Sequence, residues 1–346
     1  MTDEEAGRRL PGMGGGATIR TFDAPEAMGI QFMEVEAKSA LNRVPGESLP
    51  FNWTVNPYRG CTHACVWCFA RPTHTYLDLN AREDFERKIV VKVNVPERLR
   101  VELARPSWKG EAVALGTNTD PYQWVEGRYG LTRAIWEVMI EARNPATVLT
   151  KSPLLTRDID LFEELHAVAG FQASLSIPTL DEKAWRATEP ATPHPRKRIE
   201  AIAELSAAGI PVGVLVAPIQ PGINDSPEQV EEIVRLCAEA GATSIGGIGL
   251  HLKGEVREIF FDWVREHRPE LLEQYERLYR RGAFLPKRER ERVGRLIAGA
   301  RREAGVGPTG FREGVRRNRE NARAERRPAR DAVPSRAAVS PQAPLF

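Results

Sequence analysis

Short apolar runs alternate along the chain with stretches in which apolar residues recur every three or four positions. The apolar runs predict strands, and the stretches with a helical period predict helices between them. The predicted strands are 88–93, 112–116, 147–150, 172–177, 211–217 and 243–249. The predicted helices are 131–143, 156–168, 196–208 and 227–240. Continuous apolar strands that alternate with helices indicate a parallel sheet covered by helices.

This pattern predicts an α/β fold, and specifically a whole or partial (β/α) barrel. About six or seven strand–helix units are expected, and no GxGxxG phosphate loop lies near the start of the chain, which disfavours a dinucleotide-binding sheet. In a parallel barrel, ligands bind at the C-terminal ends of the strands. The loops that follow the strands are therefore where candidate chemistry is expected.

Three regions are predicted along the chain. Residues 1–50 are expected to form a flexible leader, because GMGGG at 12–16 and PGESLP at 45–50 interrupt regular structure. Residues 51–285 carry the predicted barrel. Residues 286–346 are predicted to contain a basic C-terminal helix and a disordered tail.

Charge is distributed unevenly between these regions. The 346 residues carry a net charge of +2, yet residues 286–346 contain 16 Lys or Arg and 7 Asp or Glu and carry +9. An arginine-rich segment with few apolar residues is typical of disorder, here beyond Pro308. Such a tail attracts nucleic acid, or it serves only as a solvated extension, and both interpretations stay open.

The composition also excludes some classes of protein. No apolar run reaches the 18 or so residues that a membrane span needs, so none is predicted. The first 20 residues lack the apolar segment of a secretory signal, which predicts a cytoplasmic protein. The chain has 4 cysteines, too few for a disulfide scaffold.

Three of the cysteines lie within eight positions of each other and indicate a metal centre. Cys61, Cys65 and Cys68 follow a C-x3-C-x2-C spacing, and thiolates suit zinc or iron–sulfur centres. A closed zinc site needs a fourth ligand, for which His63 or His74 is a candidate. Three thiolates alone fit a cubane cluster with one iron left open, because each cluster iron normally takes one cysteine.

The cysteine loop and its surroundings resemble a known family. With Trp67 directly before the third cysteine, the loop is similar to the cluster loop of radical S-adenosylmethionine (SAM) enzymes, in the branch that includes spore photoproduct lyase. The likeness covers about residues 51–255. The motifs that carry it are NPYRGC (56–61), GTNTDPYQ (116–123), TKS (150–152), EP…R (189–198) and APIQPGIND (217–225).

The resemblance implies a partial barrel, two cofactors and a reaction type. The cofactors are a 4Fe–4S cluster and SAM, whose amino and carboxylate groups chelate the open iron. One electron from a cellular reductant then cleaves SAM to methionine and a 5′-deoxyadenosyl radical, which abstracts hydrogen from the substrate. The cofactors carry the bond chemistry, and the protein positions them and excludes water. The substrate is not identified by any motif, and no catalytic residue is assigned.

The resemblance also implies which residues contact SAM. Asn118 and Thr119 occupy the position that binds the methionyl ammonium group, or Asn118 and Asp120–Pro121 merely make a turn. Lys151 suits the methionyl carboxylate, or is an exposed lysine at a strand end. Ser174 and Ser176 share one strand face, where a hydroxyl meets the ribose or merely fits a crowded interior.

Further residues near the predicted barrel mouth have two interpretations each. By the resemblance, Glu189 and Arg198 border the active site, and they are equally explained as a charge pair where a helix begins. His251 follows the last predicted strand and faces the mouth. A lone histidine is more often structural, and it is not assigned to catalysis.

One feature of the lyase branch is missing. Spore photoproduct lyase uses an additional cysteine as hydrogen donor, and no cysteine lies between Cys68 and Cys237. Cys237 falls on the apolar stripe of a predicted helix and is best explained as a buried small side chain. Tyr122 is a substitute donor or a packing residue.

A second function is compatible with the same residues. A protein that binds nucleic acid through its basic tail and uses a zinc or iron–sulfur centre only for stability would need no catalysis. Retained zinc without SAM cleavage would favour it.

Overall fold

The computed structural model describes residue 7, residues 9–44, residue 49 and residues 51–308. The strands are β1 Met13–Arg20, β2 Gln31–Ala37, β3 Leu41–Arg43, β4 Trp53–Val55, β5 Tyr58–Arg59, β6 Lys88–Lys92, β7 Val113–Leu115, β8 Ala146–Thr150, β9 Phe171–Ser176, β10 Val212–Ile219, β11 Ser244–Gly249 and β12 Gly307–Pro308. The α-helices are α1 Glu83–Arg87, α2 Val95–Leu103, α3 Glu126–Tyr129, α4 Leu131–Glu141, α5 Ile159–Val168, α6 Glu182–Thr188, α7 Pro195–Ala207, α8 Pro227–Glu239, α9 Glu255–His267, α10 Leu272–Tyr279 and α11 Lys287–Glu303. Short 3-10 helices cover Pro25–Ala27, Arg71–Leu77, Pro153–Asp158 and Pro269–Leu271.

The main sheet has eight strands in the order β12-β11-β10-β9-β8-β7-β4-β3. Every neighbouring pair from β4 to β12 is parallel, and β3 is antiparallel at the edge. The two edge strands do not pair with each other, so the sheet is an open, partial barrel. The α/β class and the parallel sheet that the sequence predicts are thereby confirmed.

The two faces of this sheet differ in composition. Along β10, Val212, Val214 and Val216 are fully buried in the core that the helices cover. The residues between them point to the opposite face, because side chains alternate along a strand. On that inner face Gly213 lies beside Ser174 and Ser244, so the barrel interior is polar where its outer face is aliphatic.

The first 50 residues contain more structure than the predicted flexible leader. β1 and β2 pair antiparallel, and β2 pairs parallel with β6 in a four-stranded sheet of order β1-β2-β6-β5. The leader prediction is therefore wrong for residues 13–43. Three of the four glycines of GMGGG lie in β1, where pairing with β2 overrides their poor strand propensity.

The first barrel strand also differs from the prediction. The apolar run 88–93 does form a strand, β6, but it belongs to the four-stranded sheet. The main sheet instead begins with β4, a three-residue strand that pairs with β7. Three residues are too few for periodicity to mark as a strand. The other five predicted strands and all four predicted helices match the structure to within about three residues.

At the other end of the chain, α11 lies within the region where a basic helix is predicted. It packs its apolar side against β11, where Gly247 leaves room for Ile297. The tail beyond Pro308, predicted to be disordered, lies outside the described residues.

A second apolar core joins the C-terminal helices to the cysteine loop. Its buried residues include Trp67 of the loop, Ile223 after β10, and Phe260 and Trp263 of α9. α9 and α10 therefore form a cap beside the loop. None of the helices in the described part of the chain has the length and apolar character that crossing a membrane requires.

The packing of β2 predicts a large cost for truncating Phe32. This side chain is fully buried, with its ring 6.0 Å from that of Trp124. Replacing a buried phenylalanine by alanine lowers the free energy of unfolding by about 3–5 kcal/mol. Phe32→Ala should show this loss in urea unfolding. Met28→Ala is the control, because Met28 is 77% exposed. Equal stability of the two variants would show that β2 is not part of the folded core.

Candidate functional site

The cysteine loop follows β5 and begins with a sharp turn. Gly60 has φ +83°, and a Cβ there would lie 2.8 Å from the ring of His74 and 2.9 Å from the carbonyl oxygen of Phe85. Only glycine tolerates both the conformation and the close approach. The backbone N–H of Cys61 then donates to the same Phe85 carbonyl at 2.9 Å.

The three cysteines of the loop are free thiols close to one another. Cys61 and Cys65 are buried, and Cys68 is partly buried. Burial raises the pKa of the Cys65 thiol well above its usual range, and the nearby charge of Glu189 raises it further. Burial also raises the pKa of Cys68, followed by the charge of Cys61. Cys68 packs both against the apolar cluster that contains Cys61 and against the one that contains Cys65, so it joins the two other cysteines.

Thr119 and Gln123, from the loop after β7, hold the backbone of the cysteine loop. The Thr119 hydroxyl donates to the carbonyl of Gly60 at 2.6 Å, and Gln123 Oε1 accepts from the backbone N–H of Thr62 at 2.9 Å. Gln123 Nε2 donates to Thr119 Oγ1 at 2.9 Å. The buried Thr119 hydroxyl thus positions the cysteine loop, whereas the neighbouring Asn118 is exposed. Gln123 lies within a motif that the sequence singled out, but nothing in the spacing marks its role.

An ion pair connects the cysteine loop to Asp120 in the loop after β7, and Asp120 in turn binds the end of β8. His63 Nδ1 lies 3.3 Å from Asp120 Oδ2, and the same carboxylate accepts from the hydroxyl of Thr150 at 2.5 Å and from the N–H of Lys151 at 2.8 Å. Burial works against both charges. The His63 charge and these hydrogen bonds outweigh burial and lower the pKa of Asp120 to about 2. The charges of Cys61 and Asp120 likewise outweigh the burial that lowers the pKa of His63, and raise it to about 10.

Lys151 occupies the position where the cysteine loop meets the ends of β8 and β9. Its ammonium group lies 3.1 Å from the Ser176 hydroxyl, 3.7 Å from Glu189 Oε1 and 4.7 Å from the ring centre of Trp67. The side chain is largely but not fully buried. A lysine held over an aromatic face beside a thiol cluster can bind an anionic ligand group.

Glu189 and Arg198 form a fully buried ion pair behind this lysine. Arg198 Nη2 donates to Glu189 Oε2 at 2.9 Å and to the Thr192 hydroxyl at 2.7 Å, and Nη1 donates to the Ser176 carbonyl at 2.8 Å. Glu189 Oε1 makes no hydrogen bond and faces Lys151. Glu189 and Arg198 are therefore a charge pair where a helix begins, and the same pair borders Lys151.

The remaining predicted residues lie at different depths. Ser174 lies beside Gly213, next to the first residue of β11, whereas Ser176 lies at the end of β9 and contacts Lys151. Of the two serines, Ser176 belongs to the site formed by the strand ends. Among the residues that the structure describes, Lys151 bonds to the hydroxyl of Ser176 and not to that of Ser174, so a contact of Ser174 with a ligand stays a prediction.

Three other residues that the sequence singled out lie outside this site. Cys237 is fully buried among the helices that cover the sheet, and burial raises its pKa to about 12. The Tyr122 hydroxyl is buried, donates to Asp158 at 2.8 Å and accepts from Trp136. His251 stacks on Phe284 with ring centres 4.2 Å apart. Cys237 and Tyr122 are accordingly structural.

Comparisons with known proteins agree with this arrangement. The model of the Radical SAM superfamily matches residues 55–237. An uncharacterised protein of Mycobacterium tuberculosis is 47% identical over 294 residues, which cover 84% of this chain and 86% of that protein. Spore photoproduct lyase complexed with dinucleoside spore photoproduct has a similar fold, with a TM-score of 0.60 and 14% identity over 87% of this chain and 86% of the lyase. A lyase mutant with bound AdoMet and the dinucleoside gives a TM-score of 0.57 and 15% identity over 77% of this chain and 78% of that one.

The buried ion pair predicts a strong dependence of stability on Arg198. Removing one partner of a buried pair costs about 3–5 kcal/mol, and here the Glu189 carboxylate would lose its closest partner and keep only the longer contact with Lys151. Arg198→Met should lower the free energy of unfolding of the metal-free protein by this amount. Lys197→Met, at the exposed neighbouring position, should change it by less than about 0.5 kcal/mol. Adding Glu189→Gln to Arg198→Met should restore part of the loss, and a strictly additive double variant would contradict the pairing.

Proposed function

Because this chain belongs to the radical SAM superfamily, we propose that its cysteine loop holds a 4Fe–4S cluster and that the adjoining barrel mouth binds SAM. The chain is a radical SAM enzyme by this membership. The observation that carries the proposal is the position of Lys151. Its ammonium group lies over Trp67 of the cysteine loop, at the C-terminal end of a parallel barrel strand.

The donor set fits a cluster better than a single metal ion. In the part of the chain that the structure describes, no group of three or more His, Cys, Asp or Glu side chains surrounds one point that a metal ion could occupy. A cubane cluster does not need three side chains around one point, because each cysteine binds its own iron. The two histidines considered as a fourth zinc ligand do not complete such a group with the cysteines: His63 Nδ1 pairs with Asp120, and His74 Nε2 lies 3.0 Å from the Lys88 carbonyl.

For SAM, the site offers one cation and several polar groups around it. Lys151 suits the methionyl carboxylate, and Ser176 and the exposed Asn118 lie at the ends of neighbouring strands. Thr119 would act indirectly, through the cysteine loop whose backbone it holds. Ser174 lies farther from the C-terminal strand ends, so it would contact only a ligand that extends into the barrel interior.

The proposed cofactors define the reaction class. When bound and reduced, the cluster with SAM supplies a 5′-deoxyadenosyl radical, which removes a hydrogen atom from the substrate. The residues of this chain bind and orient the ligands. Lys151 neutralises a carboxylate, and the cap of α9 and α10 covers one side of the cysteine loop with apolar side chains that exclude water.

The reaction is proposed to differ from that of spore photoproduct lyase in its hydrogen donor. The lyase branch uses an additional cysteine, and the fourth cysteine of this chain, Cys237, is fully buried behind the sheet. The other candidate, Tyr122, has its hydroxyl in a buried network. The substrate radical would therefore recover hydrogen from SAM-derived 5′-deoxyadenosine, or from a donor outside these residues.

We propose a nucleic acid as the substrate class. Phe284 is 62% exposed, stacks on His251 after the C-terminal end of β11, and is joined to it by an antiparallel bridge. Arg280 and Arg281, both exposed, precede it in the chain. An exposed aromatic ring among cations suits an unpaired base and its phosphates, and the +9 charge of residues 286–346 adds to this attraction. The lyase that shares this fold was solved with a dinucleoside lesion.

The same chemistry suggests a location and a partner. The cysteines are free thiols, which persist in a reducing compartment, and we propose the cytoplasm. A cluster that is reduced by one electron in each cycle needs a cellular one-electron reductant as its partner.

The cluster assignment predicts different outcomes for the four cysteines. Anaerobic reconstitution should load about four irons and four sulfides per chain. Cys61→Ala, Cys65→Ala and Cys68→Ala should each lose the visible absorption and the reductant-dependent release of 5′-deoxyadenosine. Cys237→Ala should keep both. Retained zinc and no SAM cleavage in the unaltered protein would overturn the assignment in favour of a nucleic-acid-binding protein with a structural metal.

Lys151 should determine the affinity for SAM. Lys151→Met removes one charge-assisted hydrogen bond, worth about 1.5–3 kcal/mol, so the Kd should rise roughly 10- to 150-fold with the cluster retained. Calorimetry on the reconstituted protein measures this, with the exposed Lys183→Met on α6 as control. An unchanged Kd would show that Lys151 contacts no part of SAM.

The nucleic-acid assignment is tested with a fluorescent single-stranded oligonucleotide at two salt concentrations. Phe284→Ala should weaken binding by the free energy of stacking one base on an aromatic ring, about 1–3 kcal/mol. Tyr76→Ala is the control, since Tyr76 is 74% exposed elsewhere on the surface. Removing the residues beyond Pro308 should reduce the salt dependence, because fewer counterions are released. No binding at low salt by the full chain would exclude this substrate class.

A further inference from the structure

Arg71 is a buried cation against the cysteine loop, and no sequence motif considered above assigns it a function. It begins the 3-10 helix Arg71–Leu77, three residues after Cys68, and is 1% exposed. Its backbone N–H donates to the carbonyl of Cys68 at 3.2 Å. A buried arginine away from any ligand needs a full set of acceptors, because a buried charge that lacks them is unstable.

The guanidinium group uses all of its hydrogen-bonding capacity. Arginine has five N–H donors in a fixed planar arrangement. Four of the acceptors are backbone carbonyl oxygens at 2.9–3.1 Å, and the fifth is a carboxylate oxygen. The acceptors are the carbonyls of Ala64, Cys65, Ala81 and Arg82 and the side chain of Glu86.

These bonds connect the cysteine loop to the residues that lead into α1. Ala64 and Cys65 lie between the first and third cysteines, and Ala81 and Arg82 precede α1. Ala64 has φ +56°, a left-handed conformation that alanine rarely adopts. Its carbonyl is held by Arg71, so the guanidinium stabilises the loop in a conformation that the chain alone disfavours.

The charge of Arg71 has a second consequence. The guanidinium touches the backbone of the second cysteine, and its carboxylate partner Glu86 is partly exposed to solvent. A cubane held by three thiolates becomes more negative when it is reduced. A desolvated cation nearby favours the more negative state, because its field is weakly screened there.

We propose that Arg71 is a positioning residue that holds the cysteine loop ready for the cluster and raises the reduction potential of that cluster. The inference rests on the proposed function, because it requires a cluster at the three cysteines. It goes beyond that function by assigning loop geometry and redox tuning to one side chain outside the cysteine motif.

The test compares three variants with the unaltered chain and a control. Arg71→Met removes charge and donors, Arg71→Lys keeps the charge with fewer donors, and Glu86→Gln keeps the donors of Arg71 but removes its counter-charge. Arg87→Met is the control, because Arg87 is exposed on α1. Thermal unfolding and circular dichroism of each metal-free protein show first which variants fold.

The remaining readouts do not require turnover. After anaerobic reconstitution, iron and sulfide per chain, the rate of iron loss to a chelator and the midpoint potential from an EPR-monitored titration are measured. Arg71→Met and Arg71→Lys should lose iron at least tenfold faster than the control. Glu86→Gln should keep its iron and shift the midpoint potential to a more positive value.

The outcomes separate the inference from the proposed function. If the unaltered chain takes up no cluster, the proposed function fails, and the inference fails with it. If the unaltered chain and both Arg71 variants hold iron equally long, the positioning role is wrong while the cluster stands. If Glu86→Gln leaves the potential unchanged, the redox role is wrong. If Arg71→Met does not fold, Arg71→Lys still tests the positioning role, because it keeps the charge but has fewer donors, and Glu86→Gln still tests the redox role.

Discussion

The cysteine loop must hold three thiols close together where the chain forms neither helix nor strand. Its backbone N–H and carbonyl groups therefore have no regular partners, and buried groups without partners are costly. Most of the partners come from distant parts of the chain, and one, Arg71, follows the loop directly. They are the carbonyls of Phe85 and Thr188 and the side chains of Arg71, Thr119 and Gln123. The loop has its shape only when the barrel, α1 and α6 are all in place.

Buried charged side chains beside the same loop share one carboxylate. Glu189 is shared unequally between Arg198, at 2.9 Å, and Lys151, at 3.7 Å. Arg198 is fully engaged, so the carboxylate fixes the position of Lys151 without neutralising it by a close contact. In the proposed function Lys151 is therefore the cation that faces an anionic ligand group, and its aliphatic chain and Trp67 limit the water around it. An anion binds to a cation that is already held in position at a lower cost in free energy than to a side chain that must first be ordered.

The fold was largely predictable because its signals are local. β8, β9 and β10 are largely buried strands with apolar residues on the face that the helices cover, and the helices between them have strong periodicity. The errors fall where partners that are distant in sequence decide. β1 and β2 are ordered by pairing with β6, and β6 leaves the main sheet because β2 and β5 flank it. Neither pairing can be derived from the composition of the strand itself.

The sequence by itself determined the chemistry: three cysteines in one short loop, lysine at the end of a strand, and the parallel order of the sheet that brings both to one end. These follow from spacing and periodicity, which are properties of neighbouring residues. Only the tertiary structure decided which side chains serve that chemistry directly. It made Thr119 a support of the loop, brought Ser176 to Lys151 in preference to Ser174, buried Cys237 behind the sheet and placed Arg71 against the cysteine loop. The physical reason is that hydrogen bonds and burial depend on contacts across tens of residues, which a local pattern does not contain.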